Sequence, residues 1–292
     1  MTNPILREQC MLTGFSLTIQ QALDWSCRKI DWIDARLLLQ HVLRVNHAFL
    51  IAHAENKMVM EDIEQFLKLV VQREQGMPVA YLTGKRDFFD LTFKVSSAVL
   101  IPRPETELLV EIAIACISKS RPCQVLDLGT GSGAIGITIA KHRPLAHVTA
   151  VDVSMDAIEI AKWNARKLSV DNIHIIQGNW FDTLTANIKF DLIVSNPPYV
   201  AENDPHLLRG DLRFEPGLAL STQENGLACI RHIISTAPVF LVDGGELLLE
   251  HGYNQAVACQ QLFKGNGFRK IHSHLDLAGI ERVSGGSYSH SS

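Results

Sequence analysis

From residue 123 onward, short apolar runs alternate with amphipathic stretches, and this alternation constrains the fold more than any other feature of the chain. CQVLDLG is an apolar run stopped by glycine, and residues 134–143 then follow a helical period. HVTAVDV reads as a second strand, and residues 154–168 as a helix with Ser154 as its N-cap. NIHIIQG and FDLIVSN are the third and fourth strands, residues 226–237 a helix, GELLLEHG the fifth strand and residues 254–263 a further helix. Two runs near 268–274 and 280–285 form a closing hairpin. Strands separated by helices of about ten to fifteen residues require βαβ crossovers, hence an α/β fold with a mostly parallel, twisted seven-stranded sheet. The polar tail SGGSYSHSS is expected to be mobile over 286–292.

The first 80 residues differ in kind. Ile19, Ala22, Leu23, Ser26 and Cys27 recur at helical spacing. So do Ala35, Leu38, Leu39, Val42 and Leu43, and again Ile63, Phe66, Leu67, Val70 and Val71. Residues 1–80 therefore read as a small helical domain. Residues 81–103 hold β-prone runs at 81–84, 88–89 and 91–95, broken by Gly84 and Asp90, and read as a β-hairpin connector. Pro104 suits the first turn of a helix that opens the larger domain, residues 104–285. A length of 292 residues accommodates two domains. No run reaches the roughly 18 apolar residues of a membrane span. The N-terminus carries no apolar stretch of signal-peptide type. Cys10, Cys27, Cys116, Cys123, Cys229 and Cys259 are scattered without a CxxC, which suits reduced thiols in the cytoplasm. No HExxH or paired Cys/His spacing marks a metal site. A net charge of −4 disfavours sequence-independent nucleic-acid binding, which depends on excess positive charge.

The first strand runs into Gly129, Thr130, Gly131, Ser132 and Gly133, and the second ends at Asp152. Glycines at that turn let a ligand approach the backbone, and an acid after the second strand can accept two ribose hydroxyls. Dinucleotides and S-adenosylmethionine both use this geometry; a P-loop is excluded because no GK[ST] follows. Asn179 and Trp180 follow the third strand, where an adenine would lie. Trp180 could stack on the base and Asn179 accept from its amine, or Trp180 and Phe181 could simply cap the core.

The fourth strand ends in Asn196, Pro197, Pro198 and Tyr199. Two prolines cannot continue a ladder and so make a rigid turn at the carboxyl end of the sheet. Asn196 offers a carbonyl acceptor, Pro197 a main-chain carbonyl and Tyr199 a flat face, a combination suited to a planar NH2 group. Conjugation makes such a nitrogen a poor nucleophile; its scale is the barrier of about 18–20 kcal/mol to rotation in a peptide amide. Two acceptors gripping its N–H bonds can orient it and favour the positive charge that develops on methylation. Farther on, RFEP at 213–216 lies in a long loop that reads as part of a substrate gate. Glu250-His251 closes the fifth strand and reads as loop-ordering.

DLGTGSG, AVD, NWF and NPPY, in this order, resemble the class I (Rossmann-like) methyltransferases that modify planar nitrogens. PVAYLTGKRDFFDLTF, LIPRPETE, DPH…GDLRFEP, LLLEHG and a terminal ERV resemble the protein-(glutamine-N5) methyltransferases that act on peptide chain release factors. The resemblance spans nearly the whole chain. It implies S-adenosyl-L-methionine as donor, the glutamine of the release factor Gly-Gly-Gln loop as acceptor, and a helical N-terminal domain that recognises the protein substrate. It further implies a cofactor site of Gly129, Thr130, Gly131, Ser132, Gly133, Asp152, Trp180 and Asn196. The acceptor amide would be held by Asn196, Pro197, Pro198 and Tyr199, with Asn196 and Pro197 catalytic. Glutamine methylation of a ribosomal protein and N6-methylation of DNA or RNA adenine are the alternatives. Asn179 departs from the family, whose members often carry aspartate there.

Overall fold

Thr18, Asp31 and Asn46 each start a helix by accepting a backbone N–H two or three residues ahead. At Thr18 the cap is reciprocal, because Gln21 accepts from the Thr18 N–H in return. In the computed structural model, which describes residues 17–208 and 210–289, these caps open α1 (Ile19–Ser26), α2 (Trp32–Leu43) and α3 (His47–Ala52). Helices α4 (Met60–Glu74) and α5 (Val79–Thr83) complete the first of two units, which divide at the Gly84–Lys85 junction. Its core draws on the stripes read from the sequence: Ile19, Ala22, Leu38, Leu39, Val42, Ile63, Phe66 and Val70 are buried, joined by Leu50, Met58 and Leu69 from outside them, while Leu23, Leu43, Leu67 and Val71 are only half-buried. Arg73 donates to Asp34 at 2.6 Å and ties α4 to α2. Cys27 is exposed because α1 ends one residue before it.

Two short helices depart from the sequence reading. Helix α3 was not anticipated, since six residues give too little periodicity to detect. Residues 81–83, expected as a β-prone run, form the end of α5, which Gly84 terminates at φ +71°. Val79 and Leu82 pack on the helical core, and this tertiary contact outweighs the strand propensity of the segment.

The second unit opens with the hairpin β1 (Lys85–Phe88) and β2 (Leu91–Lys94). Helix α6 (Thr106–Cys116) leads into β3 (Cys123–Leu128), α7 (Ala134–His142), β4 (Ala146–Asp152), α8 (Met155–Lys167), β5 (Ile173–Gln177) and β6 (Phe190–Ser195). After β6 come a short parallel pair, β7 (Val200–Ala201) and β8 (Ser221–Thr222), and between them α9 (Gly217–Leu220). Helix α10 (Ala228–Thr236), β9 (Leu241–Glu250), α11 (Ala256–Gly265), β10 (Arg269–Leu275) and β11 (Glu281–Ser287) close the chain. The seven-stranded sheet has the order β10-β11-β9-β6-β3-β4-β5; β11 is antiparallel to both neighbours and the other pairings are parallel.

Alternate residues on the central strands serve opposite faces. Val125, Leu192, Val194 and Leu248 join the core under α6, α7 and α8. Leu126, Leu128, Ile193, Leu247 and Leu249 join the one under α10 and α11. From β3 the chain winds outward through β4 and β5, then returns to place β6 on the other side of β3. That reversal opens a crevice at the carboxyl ends of β3 and β6, where open α/β sheets bind ligands.

The last strand runs farther than expected. Residues 286 and 287, assigned from composition to a mobile tail, pair with Leu247 and Glu246. The Tyr288 ring packs on Phe268. Glycine here serves close packing rather than mobility: a Cβ at Gly285 would lie 2.5 Å from Leu248 Cδ1's twin methyl, Cδ2. Cys10 and the last three residues of the tail lie outside the described residues. The five cysteines among the described residues are all free thiols.

Candidate active site

The turn after β3 alternates between facing inward and facing the crevice. Gly129 and Gly131 take φ of +71° and +55° and line a cleft at the carboxyl end of the sheet. Thr130, Ser132 and Gly133 are buried and stay off its wall. Thr130 donates its hydroxyl to Asp127 Oδ2 at 2.6 Å, and the same oxygen accepts the Gly136 N–H at 2.9 Å. Asp127 thereby ties the loop to the first turn of α7. Gly136 is required for that approach, because a Cβ there would sit 2.8 Å from Asp127 Oδ2. Gly133, at φ +85°, starts α7 against Ile137 and Ala161. A buried Asn164 on α8 holds the loop from behind, donating to the Ser132 carbonyl at 2.8 Å while exchanging two bonds with the backbone of Lys94 on the hairpin.

Asp152 lines the same cleft from the end of β4. Its Oδ2 accepts from Gly131 N–H at 2.8 Å and its Oδ1 from Ser154 N–H at 2.9 Å. A carboxylate has about four acceptor positions, so both oxygens retain capacity for ligand hydroxyls. Burial raises the pKa of Asp152, against the pull of the backbone donors. It raises that of fully buried Asp127 to about 6. Asn179 and Trp180 form another wall. Trp180 takes φ +52°, uncommon for a bulky side chain, and its ring lies 3.5 Å from where a Gly129 Cβ would be.

Asn196 and Pro198 reach the cleft from the end of β6. Asn196 donates its Nδ2–H to Thr106 Oγ1 at 3.0 Å. Pro197 is buried and does not line the cleft. Nor does Tyr199, expected to offer a face to the acceptor; its hydroxyl donates to Glu250 Oε1 at 3.2 Å, and burial with Glu250 raises the phenol pKa. Gln255 donates to the Tyr199 carbonyl at 3.0 Å and so grips the turn from α11.

The loop carrying RFEP is fastened beside the cleft by Glu215, whose side chain is fully buried. Glu215 Oε1 accepts from Arg103, and Oε2 accepts the Ile101 N–H at 3.0 Å. Two cleft walls, residues 98–100 and 218–219, thus meet at one carboxylate. Asp127, Thr106, Asn164, Glu215 and Glu250 organise the site. Asp127 inside the glycine motif, Glu215 inside RFEP and Glu250 at the end of the fifth strand carried local signals; Thr106 and Asn164 carried none.

The lining suits a particular cofactor chemistry. It holds one carboxylate, two glycines with positive φ, a tryptophan and two asparagines, and no lysine or arginine. Such a wall fits a phosphate-free cationic group such as S-adenosylmethionine better than a pyrophosphate. Among the described residues, no group of three or more His, Cys, Asp or Glu side chains could hold a metal ion.

Comparison with known proteins agrees with this geometry. The "Methyltransferase small domain" family model matches residues 105–209, and the "PrmC N-terminal domain" model matches residues 21–84. Release factor glutamine methyltransferase of Burkholderia pseudomallei is 47% identical over 263 residues, covering 88% of this chain and 92% of that protein. The enzyme of the same name from Vibrio cholerae is 43% identical over 282 residues, covering 94% and 98%. A T. thermophilus 16S rRNA methyltransferase, solved with AdoMet and guanosine, shares the fold at a TM-score of 0.51 and 19% identity, covering 70% of this chain and 49% of that one. Identity of this order along both units shows that the chain belongs to the release factor glutamine methyltransferase family.

Proposed function

We propose that the protein transfers a methyl group from S-adenosyl-L-methionine to the side-chain amide nitrogen of the glutamine in the Gly-Gly-Gln loop of peptide chain release factors. The observation that carries this reading is Asn196, which shares the cleft of Gly129, Gly131 and Asp152 and commits its NH2 to Thr106. Its carbonyl oxygen is left to accept an N–H from a planar amide.

Asp152 holds the ribose hydroxyls, Gly129 and Gly131 admit the cofactor to the backbone, and Trp180 packs on the adenine. The cofactor supplies an electrophilic methyl on a positively charged sulfur. Asn196 Oδ1 accepts one amide N–H bond from the cleft wall, and the main-chain carbonyl of Pro197, whose ring is buried beside that wall, accepts the other, so that the nitrogen is held in line with that methyl. As the N–C bond forms and the C–S bond breaks, positive charge grows on nitrogen, and the two acceptors stabilise it. The excess proton then passes to water, so no strong base is required. The helical unit recognises the protein substrate, supplying binding energy remote from the reacting amide. This reading places the enzyme with the translation factors in the cytoplasm, with neither nucleic acid nor membrane as a direct partner. No helix among the described residues is long and apolar enough to cross a membrane.

Transfer of labelled methyl to purified release factor, with ribosomal protein and DNA as parallel acceptors, tests the proposal. Label on the release factor glutamine is expected, located by peptide mass mapping. Label only on another acceptor would overturn it.

A further inference from the structure

Behind the acceptor turn lies a buried carboxyl that no step above uses. Glu250 ends β9, the neighbour of β6, and is 1% exposed. Two hydroxyls converge on it. Tyr199 Oη donates to its Oε1 at 3.2 Å, and the Thr106 side chain, on the first residue of α6, lies near enough to the carboxyl to favour its ionised form. Thr106 is itself buried and receives the Asn196 amide at 3.0 Å.

We propose that Glu250 is a positioning residue for the methyl transfer, acting through Thr106 to dictate which way the Asn196 amide is turned; the proposal rests on the glutamine reading above. A threonine hydroxyl has one proton, and an ionised carboxylate can only accept. With Glu250 ionised, the Thr106 proton points at Glu250 and a Thr106 lone pair points at Asn196. Asn196 must then present its NH2 inward and its carbonyl oxygen to the cleft. The reversed amide would set oxygen against the Thr106 lone pair and NH2 against the NH2 of the acceptor. Both ends of that arrangement are mismatched, and only the carbonyl-outward state can grip an amide N–H. The Tyr199 proton is drawn to the same carboxylate, so both ends of the Asn196–Tyr199 turn are held by one group.

This arrangement is sensitive to the protonation of Glu250. Burial raises its pKa to about 7, opposed by the Thr106 and Tyr199 hydroxyls and by Arg282 on β11, and reinforced by Glu105 ahead of α6. Arg103 also acts on the Tyr199 side of the cluster, and His251 is the adjoining buried residue. A protonated Glu250 carries a donor and no longer compels Thr106 to accept. A residue serving only to fill space would be apolar here, since Glu250 Oε2 has no hydrogen-bond partner.

The test compares Glu250→Gln, Glu250→Met, Thr106→Val and Thr106→Ser in the full-length protein, each checked for folding by circular dichroism. Single-turnover methyl transfer to release factor should fall about tenfold to a hundredfold in Glu250→Met and Thr106→Val, a range typical of a misplaced reacting group. Cofactor affinity should stay within about twofold of wild type, and Thr106→Ser should restore most of the rate. The wild-type rate should rise with pH through about 7, and Glu250→Gln should lose that limb. The side-chain amide signal of Asn196 in a nitrogen-15 spectrum, recorded without acceptor, should shift over the same range in wild type and not in Glu250→Gln. That spectrum separates the two readings, since it responds to Glu250 whatever the acceptor is. Wild-type turnover in a folded Thr106→Val or Glu250→Met protein, or a pH-invariant Asn196 signal, overturns the proposal. If Glu250→Met does not fold, the Thr106 pair and the spectrum decide.

Discussion

Gly131 and Gly133 both take positive φ, yet replacing them with alanine should damage different things. At Gly133 a new Cβ would lie 2.5 Å from Ile137 Cδ1, 3.2 Å from Ile137 Cγ1 and 3.3 Å from the Ala161 Cβ. Ile137 is fully buried, so the end of its side chain has little room to swing away. Left-handed backbone costs an alanine about 1–2 kcal/mol. Overpacking a filled core adds roughly 1–3 kcal/mol. Gly133→Ala should therefore lose about 2–5 kcal/mol of stability. At Gly131 nothing lies within 4 Å of the added Cβ, so only the backbone cost of about 1–2 kcal/mol remains.

Cofactor binding should discriminate in the opposite sense. Gly131 lines the cleft and donates its N–H to Asp152, whereas Gly133 stays off the cleft wall. On the proposed function a methyl at 131 stands where the cofactor would meet the backbone, and shifting that N–H disturbs Asp152, the proposed ribose acceptor. An affinity loss of at least about tenfold, or 1.4 kcal/mol, is expected for Gly131→Ala. Gly133→Ala should bind within a few-fold of wild type wherever it remains folded. Urea unfolding at constant m value gives the stabilities, and calorimetric titration gives the affinities. The reasoning is refuted if Gly131→Ala costs as much stability as Gly133→Ala, or if it binds cofactor like wild type.

Asp152→Ala should weaken cofactor binding by about ten- to hundredfold, the loss of hydrogen bonds to a charged acceptor worth roughly 1.5–3 kcal/mol, while the melting transition stays cooperative; calorimetry on the folded variant checks it. A chain beginning at Lys85 keeps both faces of the sheet covered and should bind cofactor yet methylate intact release factor poorly; full activity would give the helical unit another purpose. Stability should fall as pH rises through the window set by Asp127 and Glu250. Their folded pKa values, about 6 and about 7, exceed the ordinary 3.8 and 4.5, so the folded state holds more protons across that interval and ionisation penalises it. Urea midpoints should decline between about pH 4 and 7 from this source, and Asp127→Asn and Glu250→Gln should each flatten their part of the decline.

The sheet and the wall of the cleft made by Gly129, Gly131 and Asp152 were largely legible because their signals are local. Alternation reveals strands, a glycine cluster reveals a turn, and Asp152 ends a recognisable strand. What resisted reading depends on contacts far apart in the chain. Asn196 meets Thr106 across 90 residues, Arg103 meets Glu215 across 112, and Asn164 meets Lys94 across 70. No spacing rule connects such pairs before the fold is known. The division of labour within the glycine loop was hidden for a different reason. Gly131 and Gly133 satisfy the same backbone requirement, and only the surroundings of each show that one faces the cleft and the other the core. Tyr199 shows the same limit: its place in the motif suggested a flat face for the acceptor, while the partner of its hydroxyl is a carboxyl that the sequence sets 51 residues downstream.

Among the described residues, two buried side-chain oxygens lack any hydrogen-bond partner, Asp127 Oδ1 and Glu250 Oε2. Native interiors rarely leave such atoms unpaired, and each carries a desolvation penalty. Their positions explain why the fold tolerates them. Asp127 belongs to β3 and Glu250 to β9, the two neighbours of β6, whose end delivers Asn196. The acid on one side organises the glycine loop through Thr130 and Gly136; the acid on the other holds the turn after β6 through Tyr199. Apolar residues would fill either space at less cost, but neither could accept the hydroxyl and amide protons that set the loop and the turn. A methyl transfer without a strong base depends almost wholly on where a few acceptors are held before the substrate arrives. The sheet holds them by keeping two uncomfortable carboxyls in its interior, one on each side of the strand that carries Asn196.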